Sequence, residues 1–212
     1  VMYFMLSIWS GLMGIMTSVL IRLELGSMGS YLQDDSIYNM LVTAHAVLMI
    51  FFMVMPIMMG GFGNWMIPIM LGIGDMAFPR LNNFSFWLLP TSLLLLMMSM
   101  MSGGAGTGWT MYPPLSSFGF SSGISVDLMV LSLHVAGLSS ILASVNIIST
   151  IYGVYWSSEM NFEKLTLFLW SLITTSFLVI LTVPILAAAL VMLLLDRNMA
   201  TSFFDPTGGG SS

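Results

Sequence analysis

The sequence has no cysteine and very little charge. Without thiols, a disulfide framework, a thiolate metal site and a c-type haem attachment are excluded, although the redox compartment stays open. Charged residues make up 6% of the 212 residues, against about 25% in a typical soluble domain. A water-facing surface cannot be built from that supply, so a soluble enzyme and a disordered tail are set aside. Four basic residues and a net charge of −5 also exclude nucleic acid as a partner.

The charged residues leave five long neutral runs, at 1–21, 36–74, 81–126, 128–158 and 165–195. Each can hold a membrane span of ~20 residues. The runs do not alternate apolar and polar residues as barrel strands would, so they predict helices. We expect an all-α polytopic transmembrane bundle, folded as a single domain. Its spans are predicted near 3–21, 37–71, 84–101, 126–152 and 166–195.

Two local features qualify this picture. The second span is longer than one crossing needs, and its prolines and paired glycines (Pro56, Gly60, Gly61, Pro68) are expected to bend or extend it.

The chain begins at Val1 inside an apolar run that lacks the basic region of a signal peptide, and it stops in a Gly-Ser tail. We therefore expect an internal piece of a longer chain.

Two histidines lie inside predicted spans. His45 and His134 each lie about eight residues into a span, and the two spans run in the same direction. An ionisable residue within the membrane is a functional hypothesis by default, and imidazole is a common axial ligand of haem iron. The residues alone leave two interpretations open: one haem held between the two rings, or histidines hydrogen-bonded at helix interfaces.

Asp75 is the sole acidic residue between the second and third spans. Amides and hydroxyls of three spans belong to the same half of the bilayer, namely Asn64, Asn82, Ser85, Ser139, Ser140 and Asn146. Such groups can hold the ordered waters that a proton relay needs, or they can simply cap and pack helices. At the opposite face, Arg22 suits either a haem substituent or the membrane interface. Glu24 can bind a hard cation together with glycine carbonyls, or it can be a surface carboxylate exposed to water.

Several segments resemble one family closely. They read TAHA at 43–46, IFFMVMPI at 50–57, GGFGNW at 60–65, DMAFPR at 75–80, SFWLLP at 85–90, GTGWT at 106–110, YPPL at 112–115, SVDL at 125–128, DRN at 196–198 and FFDP at 203–206. Together they are similar to the subunit 1 family of cytochrome c oxidases, the haem–copper oxidases, in its animal mitochondrial form. The resemblance covers essentially the whole chain.

The resemblance implies a fold of roughly a dozen transmembrane helices, of which this sequence supplies about the first five. It implies that His45 is an axial ligand of the low-spin haem a, whose other ligand lies beyond Ser212. His134 is then not its partner, and its role stays open. Three further residues match the family around that haem: Arg22 at the formyl group, Ser18 orienting the His45 ring, and Trp109 in the loop over the propionates. Glu24 and Gly29 match a separate calcium or sodium site of the family.

By the same resemblance, Asp75 is the entrance of the D proton pathway, and the amides and hydroxyls named with it lie along the route. The Asp75 loop would face the mitochondrial matrix and Arg22 the intermembrane space. The family passes electrons from cytochrome c to dioxygen, forms water and translocates protons across the mitochondrial inner membrane. Its partners are the lipid bilayer, cytochrome c and other oxidase subunits, especially subunits 2 and 3.

The resemblance places the ligands of haem a3 and copper B downstream of this sequence. We therefore expect no catalytic residue in it and no oxidase activity from it alone. Ser211 and Ser212 depart from the family pattern, and the region before Gly103 is one residue shorter. Two other functions stay open: a multi-pass proton-coupled transporter that uses Asp75, and a b-type cytochrome with two histidine ligands.

Overall fold

The computed structural model describes residues 1–157 and 165–211, with only the backbone at 155–157. Long helices dominate these ranges, and no strand occurs in them. The helices are α1 (Met2–Gly26), α2 (Asp35–Val47), α3 (Asn64–Leu71), α4 (Pro79–Met101), α5 (Pro113–Ser116), α6 (Ile124–Ser157) and α7 (Leu167–Asn198), with a 3-10 turn at Pro206–Gly208. Five candidate membrane spans result. The predicted all-α polytopic bundle is confirmed, while Ser212 lies outside the described residues.

Two helix ends differ from the predicted spans for local reasons. Helix α1 continues past Arg22 and Glu24 to Gly26, because charged residues with good helix propensity do not end a helix at the membrane boundary. Helix α4 begins at Pro79, ahead of the predicted start at Phe84. Proline suits the first helical position, since the amide hydrogen that it lacks has no partner there.

The second span is a composite. Helix α2 passes into π-helical turns at Leu48–Val54 and Pro56–Gly63 before α3 continues to Leu71. The N-cap of α2 is Asp34, whose carboxylate accepts a hydrogen bond from Ser36 N at 2.8 Å. Hydrogen bonds from Ser36 lower the pKa of Asp34. The carboxylate is therefore ionised at neutral pH and keeps its hydrogen bond to Ser36 N, which is lost only when the pH falls through that lowered pKa. Wide π-helical turns are frequent at functional sites, and these begin three residues after His45.

Helix α6 packs between α4 and α7. At the α4 interface Ser92 Oγ donates to Ser132 O at 2.6 Å, and Ser132 Oγ donates to Ser92 O at 2.8 Å. Both serines are fully buried. Small residues let helix backbones approach closely in a membrane, and the reciprocal bonds satisfy both hydroxyls. The buried apolar side chains form two clusters, one that contains Val47 and Phe52 and one that contains Ile67 and Ile147.

A buried arginine closes one end of the bundle. Arg197 Nε lies 2.7 Å from Asp127 Oδ1, and the side chain of Arg197 is fully buried. Its other nitrogens donate to three backbone carbonyls, those of Ser116 at 2.6 Å, Ser121 at 3.0 Å and Gly123 at 2.8 Å. One guanidinium therefore joins the end of α7, the start of α6 and the 116–123 segment that precedes α6.

We predict that Arg197→Ala destabilises the protein by about 3–5 kcal/mol, because it leaves Asp127 without its counter-ion and three carbonyls without a donor. The measurement is the free energy of unfolding in detergent micelles. Arg80→Ala, at an exposed arginine, is the control and should change that free energy by less than about 0.5 kcal/mol. Equal losses of unfolding free energy in the two variants would contradict the stabilising role of Arg197.

Candidate functional site

The ring of His45 is fixed by helix α1. Its Nδ1 lies 2.8 Å from Gly14 O. A carbonyl oxygen can only accept, so Nδ1 carries the hydrogen and the neutral ring has its lone pair on Nε2. In the described residues, no hydrogen bond engages Nε2. A histidine held through one nitrogen with the other free is the arrangement found in metal ligands.

Beside His45 is a cleft of about 340 Å³, which also contacts Arg22 and Ser18. The structure therefore brings these three predicted residues together, with apolar side chains completing the lining. The described residues show no hydrogen bond between Ser18 and the ring, so its expected orienting role stays a prediction. That contact belongs to Gly14 and to Thr17, whose Oγ1 lies 3.4 Å from His45 Nδ1 and donates to Gly14 O at 2.7 Å. Residues 14 and 17 share one helix face, which turns toward α2.

His134 has a different environment. Its Nδ1 lies 2.8 Å from Val130 O, and its Nε2 lies 3.3 Å from Ala187 O. Both nitrogens therefore face carbonyl oxygens. His134 lines a separate, largely apolar cleft of about 360 Å³ beside α7, and His45 is not among the residues of that cleft. The two histidines therefore line separate clefts, which gives no support to a haem held between them.

Trp109 lies outside the His45 cleft but is tied to the same helix. Gly108 N donates to Thr43 Oγ1 at 3.0 Å, two residues before His45 in sequence. The Trp109 ring is 44% exposed, and its centroid lies 6.5 Å from that of Phe51. The 104–109 segment thus packs onto α2 and leaves part of the indole open.

Glu24 and Gly29 meet in the turn after α1. Ser27 Oγ donates to Glu24 O at 3.1 Å and to Gly29 O at 3.2 Å, while Glu24 Oε2 accepts from Leu32 N at 2.7 Å. Carboxylate and carbonyl oxygens are the ligands that calcium and sodium prefer. No group of three or more His, Asp, Glu or Cys residues suited to a metal occurs in the part of the chain that the structure describes.

At the other end of the bundle, Asp75 opens onto a cleft of about 700 Å³. Asn64 and Asn82 line the same cleft, and Asn64 Nδ2 donates to Asn82 Oδ1 at 3.0 Å. Helices α1, α3 and α4, the π-helical turn at Pro56–Gly63 and the loop of Asp75 contribute to its walls. The carboxylate is exposed, whereas both amides are half-buried.

Tyr3 joins this cleft to a second, smaller cavity. It lines both, and its hydroxyl lies 2.8 Å from Ser85 Oγ. The second cavity, of about 20 Å³, also contacts Ser139 and Ser140, and it is large enough for a single water. Ser139 Oγ donates to Ser85 O at 2.6 Å. The structure thus brings Ser85, Ser139 and Ser140 together around Tyr3.

Tyr3, Thr17 and Gly14 belong to these sites but were not predicted from the sequence. Tyr3 lies at the start of an apolar run, where an interfacial aromatic residue is the ordinary expectation. Asn146 differs from its expected place: it lines neither the cleft nor the cavity, and its Oδ1 accepts from Phe78 N at 3.0 Å. The signal available in the sequence was its spacing from Thr150, one helical turn further on.

Comparison with known proteins places this geometry in context. The model of the family "Cytochrome C and Quinol oxidase polypeptide I" matches residues 1–212. The chain is 52% identical, over 99% of its length, to cytochrome c oxidase subunit 1 of Pecten maximus, of which it covers 44%. It is 47% identical, again over 99% of its length, to cytochrome c oxidase subunit 1 of Eremothecium gossypii, of which it covers 40%. The chain therefore spans less than half the length of these relatives.

The position of Tyr3 depends on a close helix crossing, and this yields a prediction. A methyl group at Gly60 would overlap the Tyr3 ring, whereas at Gly63 its nearest neighbour would lie 3.7 Å away. We expect Gly60→Ala to cost about 1–3 kcal/mol of unfolding free energy in detergent. Gly63→Ala is the matched control and should be neutral or stabilising. A neutral Gly60→Ala would refute the close crossing.

Proposed function

The chain belongs to the cytochrome c and quinol oxidase polypeptide I family, and on that premise we propose that it is part of the catalytic subunit of a cytochrome c oxidase. Electrons from cytochrome c reduce dioxygen to water in this function, coupled to proton translocation. The single observation that carries the proposal is the His45 ring, which is fixed through Nδ1 and lines a cleft together with Arg22.

The residues of this cleft suit a haem. The imidazole of His45, with a free Nε2, can bind the iron. The cationic side chain of Arg22 suits the polar substituents of the haem, and the apolar walls suit the face of the porphyrin. We propose that His45 is an axial ligand of haem a and that Arg22 meets a polar haem substituent, the formyl group in the family. Haem a, when bound, supplies one-electron transfer. Gly14 and Thr17 hold the imidazole in the ligating tautomer, which is the contribution of α1.

The family also uses haem a3 and copper B, and we assign no residue of this sequence to either. The copper ligands and the glutamate that ends the D pathway lie elsewhere in the family pattern, so we assign no catalytic residue here. We expect no oxidase activity from the sequence alone. Its contribution would be one haem ligand and the first part of a proton route.

That route begins at Asp75. The carboxylate opens onto the cleft with Asn64 and Asn82, and Tyr3 connects this cleft to the cavity of Ser139 and Ser140. Hydroxyls and amides that both donate and accept can order water, which carries protons by hydrogen-bond exchange. We propose that the cleft, Tyr3, Ser85 and the small cavity form consecutive parts of the inlet, with the Asp75 loop on the matrix side.

The remaining assignments follow the same premise. The five spans form one transmembrane domain in the mitochondrial inner membrane, in contact with the other oxidase subunits, especially subunits 2 and 3. Glu24 and Gly29 hold calcium or sodium through their oxygens, supported by the turn that Ser27 closes. Trp109 covers the propionate side of the haem, supported by the bond between its loop and Thr43.

The ligand assignment predicts different consequences for the two histidines. In the assembled oxidase, His45→Ala should abolish the low-spin haem a absorption, because the iron loses a ligand. His134→Ala is the matched control within the membrane and should retain that absorption, because both of its nitrogens already face carbonyls. Loss of the haem a absorption in both variants would overturn the assignment and favour the cytochrome with two histidine ligands.

The inlet assignment predicts that Asp75→Asn slows proton uptake by at least about tenfold, since the amide cannot exchange a proton as a carboxylate does. Asp75→Glu keeps the carboxylate and should retain most of the rate. The measurement is proton uptake by the oxidase reconstituted in vesicles, with the haem a spectrum as a check on assembly. An unchanged rate in Asp75→Asn would remove Asp75 from the route.

A further inference from the structure

Two side chains of α6 hold the backbone just after Asp75. Ala77 N donates to Thr150 Oγ1, and Phe78 N donates to Asn146 Oδ1, both at 3.0 Å. Residues 146 and 150 are one helical turn apart and lie on the same face. Two consecutive backbone amides of the loop are thus bound by two side chains of one rigid helix.

The acceptors are themselves fixed. Thr150 Oγ1 donates to Asn146 O at 2.6 Å, so its lone pairs point away from the helix toward the loop. Asn146 is 1% exposed and Thr150 is 2% exposed, and water therefore cannot replace either bond freely. An amide hydrogen that loses a buried acceptor pays the cost of desolvation without compensation.

Asn146 is poorly explained by packing alone. Its Nδ2 is buried and, among the described residues, has no hydrogen-bond partner. An apolar side chain would avoid that unpaired donor. The oxygen end of the amide, which binds Phe78 N, is the end that makes a contact with the loop.

The bonds reach Asp75 through one intervening residue. Met76 N donates to Asp75 Oδ1 at 2.7 Å, so the carboxylate is attached to its own loop. The Met76 side chain is 3% exposed and packs in the cluster that contains Ile147 and Ile151 of α6. The carboxylate can therefore keep its place at the cleft only while the 76–78 backbone stays against α6.

We infer that Asn146 and Thr150 form a latch on residues 77–78 and act as positioning residues for Asp75. The inference rests on the proposed role of Asp75 as proton inlet. It gives Asn146 a contact with the loop backbone in addition to the place on the route that the family resemblance implies. It also adds Thr150 to the residues on which proton uptake depends.

The latch is tested by hydrogen–deuterium exchange in the assembled oxidase. Thr150→Val replaces the hydroxyl by a methyl group of similar size and should speed exchange in the peptide that contains Ala77 and Phe78 by about tenfold. Thr150→Ser restores the acceptor and should restore slow exchange. Ser144→Ala is the matched control, because Ser144 is fully buried on the same helix and its hydroxyl donates only to Ser140 O, at 2.8 Å. Exchange that is unchanged in Thr150→Val would overturn the latch.

Proton uptake then tests positioning. Thr150→Val should slow uptake several-fold with an intact haem a spectrum, and Thr150→Ser should restore it. Faster exchange with normal uptake would overturn the positioning role, and so would slow uptake that Thr150→Ser fails to restore. Asp75→Asn separates the two proposals: if it leaves uptake unchanged, the inlet assignment fails, whereas the exchange data still decide whether the latch exists.

Discussion

Lipid offers no hydrogen-bond partner, so every polar group within the spans must be satisfied by the protein or by a bound ligand or water. This constraint explains most of the polar contacts. Ser92 and Ser132 satisfy each other, and Ser139 donates to a carbonyl of the neighbouring helix. Groups that remain open against this background indicate function. His45 Nε2 and the cleft beside Asp75 are such places.

The two proposed sites lie at opposite ends of the bundle and are organised by the same helices. Helix α1 contributes Tyr3 near its start and holds the His45 ring with Gly14 at its middle. The second span carries both His45 and Asn64, joined by π-helical turns. A shift of α1 against this span would therefore change both the proposed haem ligand and the proposed proton inlet, because both sites are built on one pair of helices.

Much of the fold could be predicted because long neutral runs leave few alternatives in a membrane. The five spans follow from charge spacing, and Pro79 shows why a helix begins ahead of its apolar run. The sites were less predictable. Periodicity cannot tell Thr17 from Ser18 as the neighbour of His45, because a small rotation of α1 decides between them. Tyr3 resembles any interfacial aromatic residue until Gly60 brings it against Ser85. The hydroxyl of Thr150 accepts a hydrogen bond from Ala77 N only when a loop distant in sequence folds onto α6.

The central claim is that α1 sets the His45 ring as the haem ligand while the polar groups at the opposite end admit protons. A cryo-electron-microscopy map of the assembled oxidase, at a resolution that shows ordered water, tests it most directly. The account predicts haem iron on His45 Nε2 with Nδ1 still bonded to Gly14 O, and water in both the Asp75 cleft and the cavity beyond Tyr3. Iron bound to His134, or a His45 ring turned away from Gly14, would contradict it.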